Sequence, residues 1–403
     1  MTDVASYGSE LIYDPYDYAI DADPHPIWKR MRDGAPVYWN EQYRFFALSR
    51  FDDVYDASRD VETFSSARGT VLELIDRPID TFAPMIFQDP PYHTLLRALV
   101  SRAFTPRRVA ALEARIRDLV ALYLDPLVGA GSFDYVQEFA AKLPAMVIGS
   151  LLGVPEGDQD MVRQQTDAML HIEPGETLSS NQGVIDLYSY WLEIINARRS
   201  DADPPDDMIT ALLRSEMVEN GEPRRLDDME LLAFIGLLSG AGNETVARLL
   251  SWASVLLARN PDQRALLVGD PSLLPNAIEE LLRYEAPSPI QARWVTRPVE
   301  LHGVAIPADC KIALLTGSAG RDEREYPDAD RFDVRRAFSR HASFGYGPHF
   351  CLGAALARLE ARVALEETLK RFPAWDIDED GLRWVHTSTV RGYEVVPFTP
   401  TAP

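Results

Sequence analysis

Cysteine is scarce in this chain: only Cys310 and Cys351 occur among 403 residues. Two cysteines without a Cys-x-x-Cys pair exclude a disulfide framework and the usual cysteine motifs for zinc or redox exchange. Long hydrophobic runs are missing too, because the uncharged stretch 231–243 is shorter than the roughly 20 residues that a membrane-spanning helix needs. The first Lys or Arg is Lys29, so no basic leader precedes an apolar core. We therefore expect a cytoplasmic protein without a membrane anchor.

Positive charge is also in deficit, with 40 Lys and Arg against 62 Asp and Glu and a formal net charge of -22. That balance excludes nucleic acid and anionic membranes as main partners. Apolar residues make up 46% and charged residues 25% of the chain, which is ordinary for a globular protein. No repeat or linker divides the sequence. We expect a single domain over 1–403, with an irregular segment at about 1–36 apart from a short helix near 27–32.

Most of the remaining chain has helical character. Three segments carry apolar residues three or four positions apart and end near a proline or a glycine. They are residues 107–125, 226–260 and 353–371. The strand-like segments are short and rich in β-branched and aromatic residues. They are residues 37–49, 292–296, 299–306, 311–315 and 384–398. The sequence thus predicts a mainly α fold with a smaller, segregated β portion (α+β).

The segment 226–260 gives the clearest helix prediction. Asp227 and Glu230 form a capping box at its start, and a proline follows its end. Its middle, 231–238, is apolar on all sides, which is typical of a helix buried through the centre of a domain. Gly242 then sits mid-helix, where glycine costs about 1 kcal/mol relative to alanine. We therefore expect a close approach to the backbone, or a bend, at this point.

A glycine-rich loop at 344–353 carries Cys351 and leads directly into the helix 353–371. A helix N-terminus presents free N–H groups and the positive end of a dipole, which stabilise a thiolate. Glycines let backbone amides and a flat ligand approach the sulfur closely, and a thiolate can be the proximal ligand of haem iron. The alternative is a buried structural cysteine in a tight turn. Cys310, in an apolar strand pattern, is interpreted as such a core thiol.

Five positions of this loop resemble the haem-binding signature of the cytochrome P450 family. They are Phe344, Gly347, His349, Cys351 and Gly353. The resemblance covers about residues 20–400 and is closest to the soluble bacterial branch. It implies the cytochrome P450 fold, with the long helix over a haem b whose iron is held by Cys351. It also implies that Phe344, Gly345 and Gly353 lie against that cofactor.

The middle of the long helix is similar to the family's oxygen-activation motif, small-Gly-x-acid-Thr. Its residues are Ala241, Gly242, Asn243, Glu244 and Thr245. Splitting dioxygen consumes protons, and a hydroxyl and a carboxylate in an apolar site can hold ordered water and relay them. Thr245 can bond back to the Ala241 carbonyl, and Ala241 would lie against the haem. We assign oxygen-side stabilisation to Thr245 and proton supply to Glu244. The alternative is a kinked helix with Glu244 paired to an arginine.

Two further patterns match the same family. Glu280 and Arg283, one helical turn apart, are similar to its Glu-x-x-Arg motif, and Arg331 lies in a segment whose arginine closes a buried ion-pair network. Haem carries two propionates, which require cations or hydrogen-bond donors. The resemblance implies four residues for them. They are His93, Arg97, Arg293 and His349.

The family resemblance places the substrate pocket on several separate segments. The side chains that we expect to line it are apolar and carry no dedicated ion pair. They are Leu72, Phe82, Met85, Ile86, Phe87, Met169, Leu170, Leu237, Leu238, Ile290 and Val390. This lining favours a neutral or weakly polar hydrophobic substrate, such as a terpenoid, a steroid or an aliphatic acyl chain. The alternative is that these residues simply pack on one another.

Family members of this kind receive electrons from an iron–sulfur ferredoxin and its NAD(P)H-dependent reductase. We expect the donor to bind on the thiolate side, where several arginines could form a basic patch for an acidic partner. They are Arg102, Arg107, Arg108, Arg358 and Arg362. The sequence thus predicts a haem-thiolate monooxygenase that uses dioxygen and two electrons. The alternatives are a haem-binding sensory module without turnover and a cysteine-dependent hydrolase that uses Cys351 and a histidine.

Overall fold

The computed structural model describes residues 11–75, 84–101, 104–170, 182–337, 340–387 and 389–402, without the side chains of 167–170, 182–184 and 386. Within these ranges the α-helices are α1 (Tyr18–Ala22), α2 (His25–Gly34), α3 (Phe51–Arg59), α4 (Tyr92–Ser101), α5 (Pro106–Ala111), α6 (Glu113–Leu124), α7 (Lys142–Leu152), α8 (Glu156–Leu170), α9 (Gln182–Ser200), α10 (Met208–Arg214), α11 (Asp228–Arg259), α12 (Pro261–Gly269), α13 (Leu274–Tyr284), α14 (Thr316–Ala319) and α15 (Ala354–Arg371).

The strands are much shorter than the main helices. They are β1 (Val37–Asn40), β2 (Phe45–Leu48), β3 (Phe64–Ser65), β4 (Phe133–Asp134), β5 (Glu216–Glu219), β6 (Glu222–Arg225), β7 (Gln291–Val295), β8 (Val299–Leu301), β9 (Val304–Ile306), β10 (Cys310–Leu314), β11 (Trp375–Ile377), β12 (Arg383–His386), β13 (Arg391–Val395) and β14 (Pro397–Pro400). The main sheet has the order β1-β2-β10-β7-β3, in which β2 and β10 are the parallel pair. The others form one three-stranded sheet and three hairpins. The predicted α+β class is confirmed.

The long helix α11 confirms the strongest sequence prediction. The Asp227 side chain accepts the Glu230 N–H at 2.8 Å, and the Glu230 carboxylate accepts the Asp227 N–H at 2.9 Å. The helix packs against α7, α15 and β13, so it runs through the helical core. The close approach expected at Gly242 comes from α7, because a Cβ at this position would lie 2.6 Å from Ile148 Cδ1. The glycine therefore lets two helices pack together.

Both faces of the main sheet are buried, as the two-residue period of a strand allows. In β2, Phe46 packs into one apolar cluster and Phe45 into another on the opposite face. A third and larger cluster lies among the helices around α11. The cysteine loop joins these parts, because Phe344 packs on the helical cluster and Tyr346 on a sheet cluster. The loop is thus fixed at the junction of helices and sheet.

Two of the helix predictions were wrong in detail. The predicted single helix 107–125 is divided at Leu112 into α5 and α6, and its strict apolar spacing belongs to α6 alone. The segment expected to be irregular at about 1–36 contains α1 as well as α2. The Asp17 carboxylate starts α1 by accepting the Ala19 N–H at 2.7 Å, and such an N-cap is easily missed in a stretch rich in Asp and Pro.

The described ranges contain no single helix that meets the length and hydropathy expected of a membrane span. One bent pair, Val136–Leu152 with Glu156–Thr166, satisfies the requirement jointly across a 118° bend.

Candidate active site

The cysteine loop depends on two residues in the left-handed backbone region. Gly345 has φ +66° and Gly347 has φ +69°, a region that favours glycine. A Cβ at Gly347 would lie 2.8 Å from the carbonyl oxygen of Ser58 in α3. Gly347 is therefore required for the packing of the loop against α3. At Gly353, next to the sulfur, an added Cβ would meet nothing within 4 Å.

Cys351 is held at the start of α15 by backbone hydrogen bonds. Its N–H donates to the Phe344 carbonyl at 2.8 Å, and its sulfur interacts with the N–H groups of Gly353 and Ala354. Burial raises the pKa of the Cys351 thiol, and these N–H groups oppose the rise only in part. The N–H groups at the start of α15 therefore favour the thiolate, as expected, but burial has the larger effect on the pKa. A cation at the sulfur would reverse this balance, because a coordinating thiol loses its proton.

Four nitrogen-bearing side chains expected to hold propionates are brought together beside this loop. The His93 and His349 rings lie 4.2 Å apart, centroid to centroid. Arg97 donates to the Phe350 carbonyl at 2.6 Å and Arg293 to the Ala292 carbonyl at 2.7 Å. Burial, with Arg293 and His93 adding to it, lowers the pKa of His349 to about 3. Burial also lowers the pKa of Arg293 to about 10.

These four side chains have too few anionic or hydrogen-bonding partners among the described residues to satisfy their nitrogen atoms. Nδ1 of His93 and Nε2 of His349 are buried without a hydrogen-bond partner in the described part of the chain. Buried polar atoms are normally satisfied, and clustered cations favour an anionic ligand. The Asp89 carboxylate, which acts on His93 and Arg293, is already used by Ser65 and Ser66. The residues therefore fit a ligand that bears two carboxylates, as haem does.

The oxygen-side motif lies in the middle of α11. The Thr245 hydroxyl donates to the Ala241 carbonyl at 3.1 Å, as predicted. Ala241 is exposed, whereas Glu244 and Thr245 are half-buried and Asn243 is buried. Glu244 interacts with other groups of the protein. A hydroxyl that is hydrogen-bonded to a helix carbonyl and lies next to a carboxylate can transfer a proton.

A buried ion-pair network supports α13 near the loop. The Glu280 and Arg283 side chains are completely buried and lie 2.7 Å apart. The prediction that Arg331 completes this network was wrong, because its side chain is 65% exposed and pairs with Asp333. Arg336 takes this place, at 3.2 Å from Glu280. Arg331 contributes only its backbone carbonyl, which accepts from Arg283 and Arg336.

The predicted substrate lining is divided between two parts of the structure. Met85 and Leu238 are buried in the helical cluster, with Leu237 packed against it. Leu72 is buried beside the main sheet, with Ile290 packed on the same cluster. The other predicted residues with described side chains are Val390, which is buried, and Ile86 and Phe87, which are half-buried. Phe82 and the side chains of Met169 and Leu170 lie outside the described residues.

The predicted basic patch is largely neutralised by carboxylates. Arg108 lies 3.0 Å from Asp206, and Arg362 lies 2.7 Å from Glu113. Arg358 forms a two-pronged pair with Glu279. Arg107 is exposed, and Arg102 lies outside the described residues. Three of these arginines therefore form ion pairs at the surface, with carboxylates that are distant in the chain.

Comparison with known proteins gives consistent matches. The family model for cytochrome P450 matches residues 164–267 and 270–383. Putative cytochrome P450 123 of Mycobacterium tuberculosis is 40% identical over 399 residues, which is 98% of each chain. The 6-deoxyerythronolide B hydroxylase of Saccharopolyspora erythraea is 40% identical over 311 residues, 77% of this chain and 76% of that one. The structure of CYP109E1 from Bacillus megaterium with testosterone is 32% identical, with a TM-score of 0.83 over 94% of this chain and 100% of that one.

Proposed function

Because the chain belongs to the cytochrome P450 family of haem-thiolate monooxygenases, we propose that it hydroxylates a neutral or weakly polar hydrophobic small molecule in the cytoplasm. The reaction would convert R–H, O2, two electrons and two protons into R–OH and H2O. Haem, when bound, supplies the chemistry that cleaves the O–O bond and inserts one oxygen atom. All 403 residues would form a single domain around this site.

The single observation that carries the proposal is the position of Cys351 beside four side chains that suit propionates. Cys351 would be the iron ligand, with the Gly353 and Ala354 amides directed at its sulfur. His93, Arg97, Arg293 and His349 would bind the propionates, since two of their buried ring nitrogens have no partner among the described residues. Phe344, Gly345 and Gly353 would lie against the ring.

Thr245 and Glu244 would manage protons on the opposite side of the site. The Thr245 hydroxyl donates a hydrogen bond to the Ala241 carbonyl. Its oxygen would hold a proton that can be donated in the reaction and then replaced. Glu244 would resupply that proton, directly or through ordered water. Ala241 is small and exposed, which leaves room beside the helix. This is general acid–base chemistry, in which geometry comes before pKa.

The substrate class is inferred from apolar side chains on several segments. The described members of this set include Leu72, Met85, Leu237, Leu238 and Val390, none of which is charged. Such a lining suits a ligand bound mainly by desolvation. Two similar proteins are consistent with this: one is named a 6-deoxyerythronolide B hydroxylase, and another was solved with testosterone. A terpenoid, a steroid or an aliphatic acyl chain would fit the same description.

The electrons would come from an iron–sulfur ferredoxin with its NAD(P)H-dependent reductase. We place its binding surface on the side of Cys351, where Phe350, next to the sulfur, is 39% exposed. The neighbouring arginines are paired with carboxylates. Their long-range attraction for an acidic donor would therefore be weaker than that of arginines without paired carboxylates. The association rate should consequently depend only modestly on ionic strength.

The proposal is tested by titrating the haem-loaded protein with a library of neutral hydrophobic compounds and following the spin state. Compounds that shift the spectrum are then incubated with a ferredoxin, its reductase, NADPH and 18O2. We expect an alcohol that contains one 18O atom. Consumption of NADPH without an organic product, for every compound that binds, would favour the sensory module instead. A folded protein that takes up no haem would favour the hydrolase.

A further inference from the structure

A group of three ionisable side chains lies next to the cysteine loop. Glu279 on α13 accepts two hydrogen bonds from Arg358 on α15, Nε at 2.6 Å and Nη2 at 2.8 Å. His341, which precedes the loop, lies 2.9 Å from the same carboxylate through Nε2. The His341 side chain is 4% exposed, Glu279 25% and Arg358 38%, so the group is shielded only on one side. We call these three residues the proximal cluster.

The proximal cluster is joined to Cys351 through Phe344. The Arg358 guanidinium carbon lies 4.5 Å from the centroid of the Phe344 ring, a cation–π contact. The His341 ring lies 5.7 Å from the same ring. The Phe344 carbonyl accepts the Cys351 N–H at 2.8 Å. A change in the position of Arg358 would therefore be transmitted through Phe344 to Cys351.

Arg358 also places a positive charge on α15, the helix that begins directly after Cys351. Its guanidinium contacts Phe344, whose carbonyl accepts the Cys351 N–H. Glu279 raises the pKa of Arg358 and so keeps it charged, while Arg358 and His341 lower the pKa of Glu279 to about 2. His341 Nδ1 accepts the Ser343 N–H at 3.3 Å, which leaves the ring proton on Nε2. Glu279 and Arg358 thus form a pair of opposite charges within the cluster.

We propose that Glu279 is a positioning residue, which holds Arg358 against Phe344 and offsets its charge, and thereby sets how strongly the Cys351 sulfur donates to iron. This inference rests on the proposed haem-thiolate function. A positive charge near a ligand sulfur weakens its donation and favours the reduced metal, whereas a negative charge does the opposite. Groups around a ligating sulfur are known to set the reduction potential of the bound metal in this way.

The test uses the haem-loaded protein at low ionic strength, where partly exposed charges are least screened. Glu279→Gln leaves Arg358 without its counter-charge, so the midpoint potential should become more positive. Arg358→Gln leaves the Glu279 carboxylate without its cationic partner, so the midpoint potential should become more negative. The conservative change Glu279→Asp should restore most of the parent value. Each variant is also checked for the absorption band of its reduced carbon monoxide complex.

Arg362→Gln is the matched control, because Arg362 lies one turn further along α15, is similarly exposed and pairs with Glu113 at 2.7 Å. Its potential should equal that of the parent. Shifts of the same sign in Glu279→Gln and Arg358→Gln, no shift in either, or an equal shift in Arg362→Gln would overturn the inference. A parent protein without the carbon monoxide band of a thiolate-ligated haem would instead refute the proposed function, whatever the variants show.

Discussion

The guanidinium of Arg336 lies 3.2 Å from the buried carboxylate of Glu280, and it completes the network that Glu280 forms with Arg283. Arg336 also donates to the backbone carbonyls of Pro327, Asp328 and Arg331. It therefore ties the segment before the cysteine loop to α13. Arg331, by contrast, is exposed beside Asp333.

Replacing Arg336 with alanine should strongly destabilise the protein. The change leaves part of the Glu280 charge buried without its partner and removes three hydrogen bonds to backbone carbonyls, at a cost of about 3 kcal/mol in the free energy of unfolding. Arg331→Ala is the matched control and should change that free energy by less than about 0.5 kcal/mol. Urea unfolding measures both. A larger loss for Arg331→Ala than for Arg336→Ala would contradict the network as described.

Gly242→Ala should destabilise the contact between α11 and α7. Its Cβ would come within 2.6 Å of Ile148 Cδ1, and overpacking of this kind costs about 1–3 kcal/mol. Ile148→Ala removes both Cδ1 and Cγ1, which would lie 2.6 Å and 2.9 Å from the new Cβ, so Gly242→Ala should cost much less in that background than in the parent. Gly236→Ala on the same helix is the control, because its Cβ would meet Tyr188 only at 3.9 Å; it should be neutral or stabilising. Equal losses at Gly236 and Gly242 would show that the close contact is not the cause.

Glu360 should make the protein less stable as pH rises. Burial raises the pKa of this carboxyl well above its usual value of 4.5, and its Oε2 has no hydrogen-bond partner in the described ranges. The stability that the neutral carboxyl contributes is complete below the unfolded pKa and is lost as pH rises toward the folded one.

Glu360→Gln removes the titrating group, so its stability advantage over the parent should grow as pH rises above the ordinary pKa of a glutamate, 4.5. The increase should be at most about 1.4 kcal/mol for each pH unit. Urea unfolding of both proteins at several pH values measures it. A difference between the two proteins that does not change with pH would mean that Glu360 is charged in the folded state.

Thr245→Ala should separate electron use from product formation, if the proposed function holds. The hydroxyl now bonded to Ala241 would be lost, and acid–base groups of this kind contribute at least about 100-fold to a proton-dependent step. We expect NADPH consumption to continue while product per NADPH falls and hydrogen peroxide appears. Thr245→Ser keeps a hydroxyl and should retain most of the coupling. Unchanged product yield in Thr245→Ala would favour a reaction driven directly by peroxide.

The parts of the fold that the sequence predicts well are those whose signal is local. The capping box joins Asp227 and Glu230, three positions apart, and the hydrogen bond from Thr245 to Ala241 spans one helical turn. Both follow from helix geometry alone. The motif around Cys351 is local too, and it indicated both the loop and the helix that follows it.

The parts that the sequence could not predict depend on residues that are far apart in the chain. Ile148 approaches Gly242 from another helix, and Arg336 reaches Glu280 across 56 residues. The Cys351 pKa is likewise a balance between burial and helix-end amides, and the amount of burial is a property of the whole fold. Charge pairing of the predicted basic patch was missed for the same reason.

The most direct test of the central claim is the absorption spectrum of the reduced, haem-loaded protein with carbon monoxide. If Cys351 supplies the iron ligand, the main band should lie at the long wavelength typical of thiolate-ligated haem, and Cys351→His should move it to the short wavelength typical of imidazole ligation. A parent band at the short wavelength in freshly prepared, folded protein, or a long-wavelength band that survives in Cys351→His, would contradict ligation of the iron by the Cys351 thiolate.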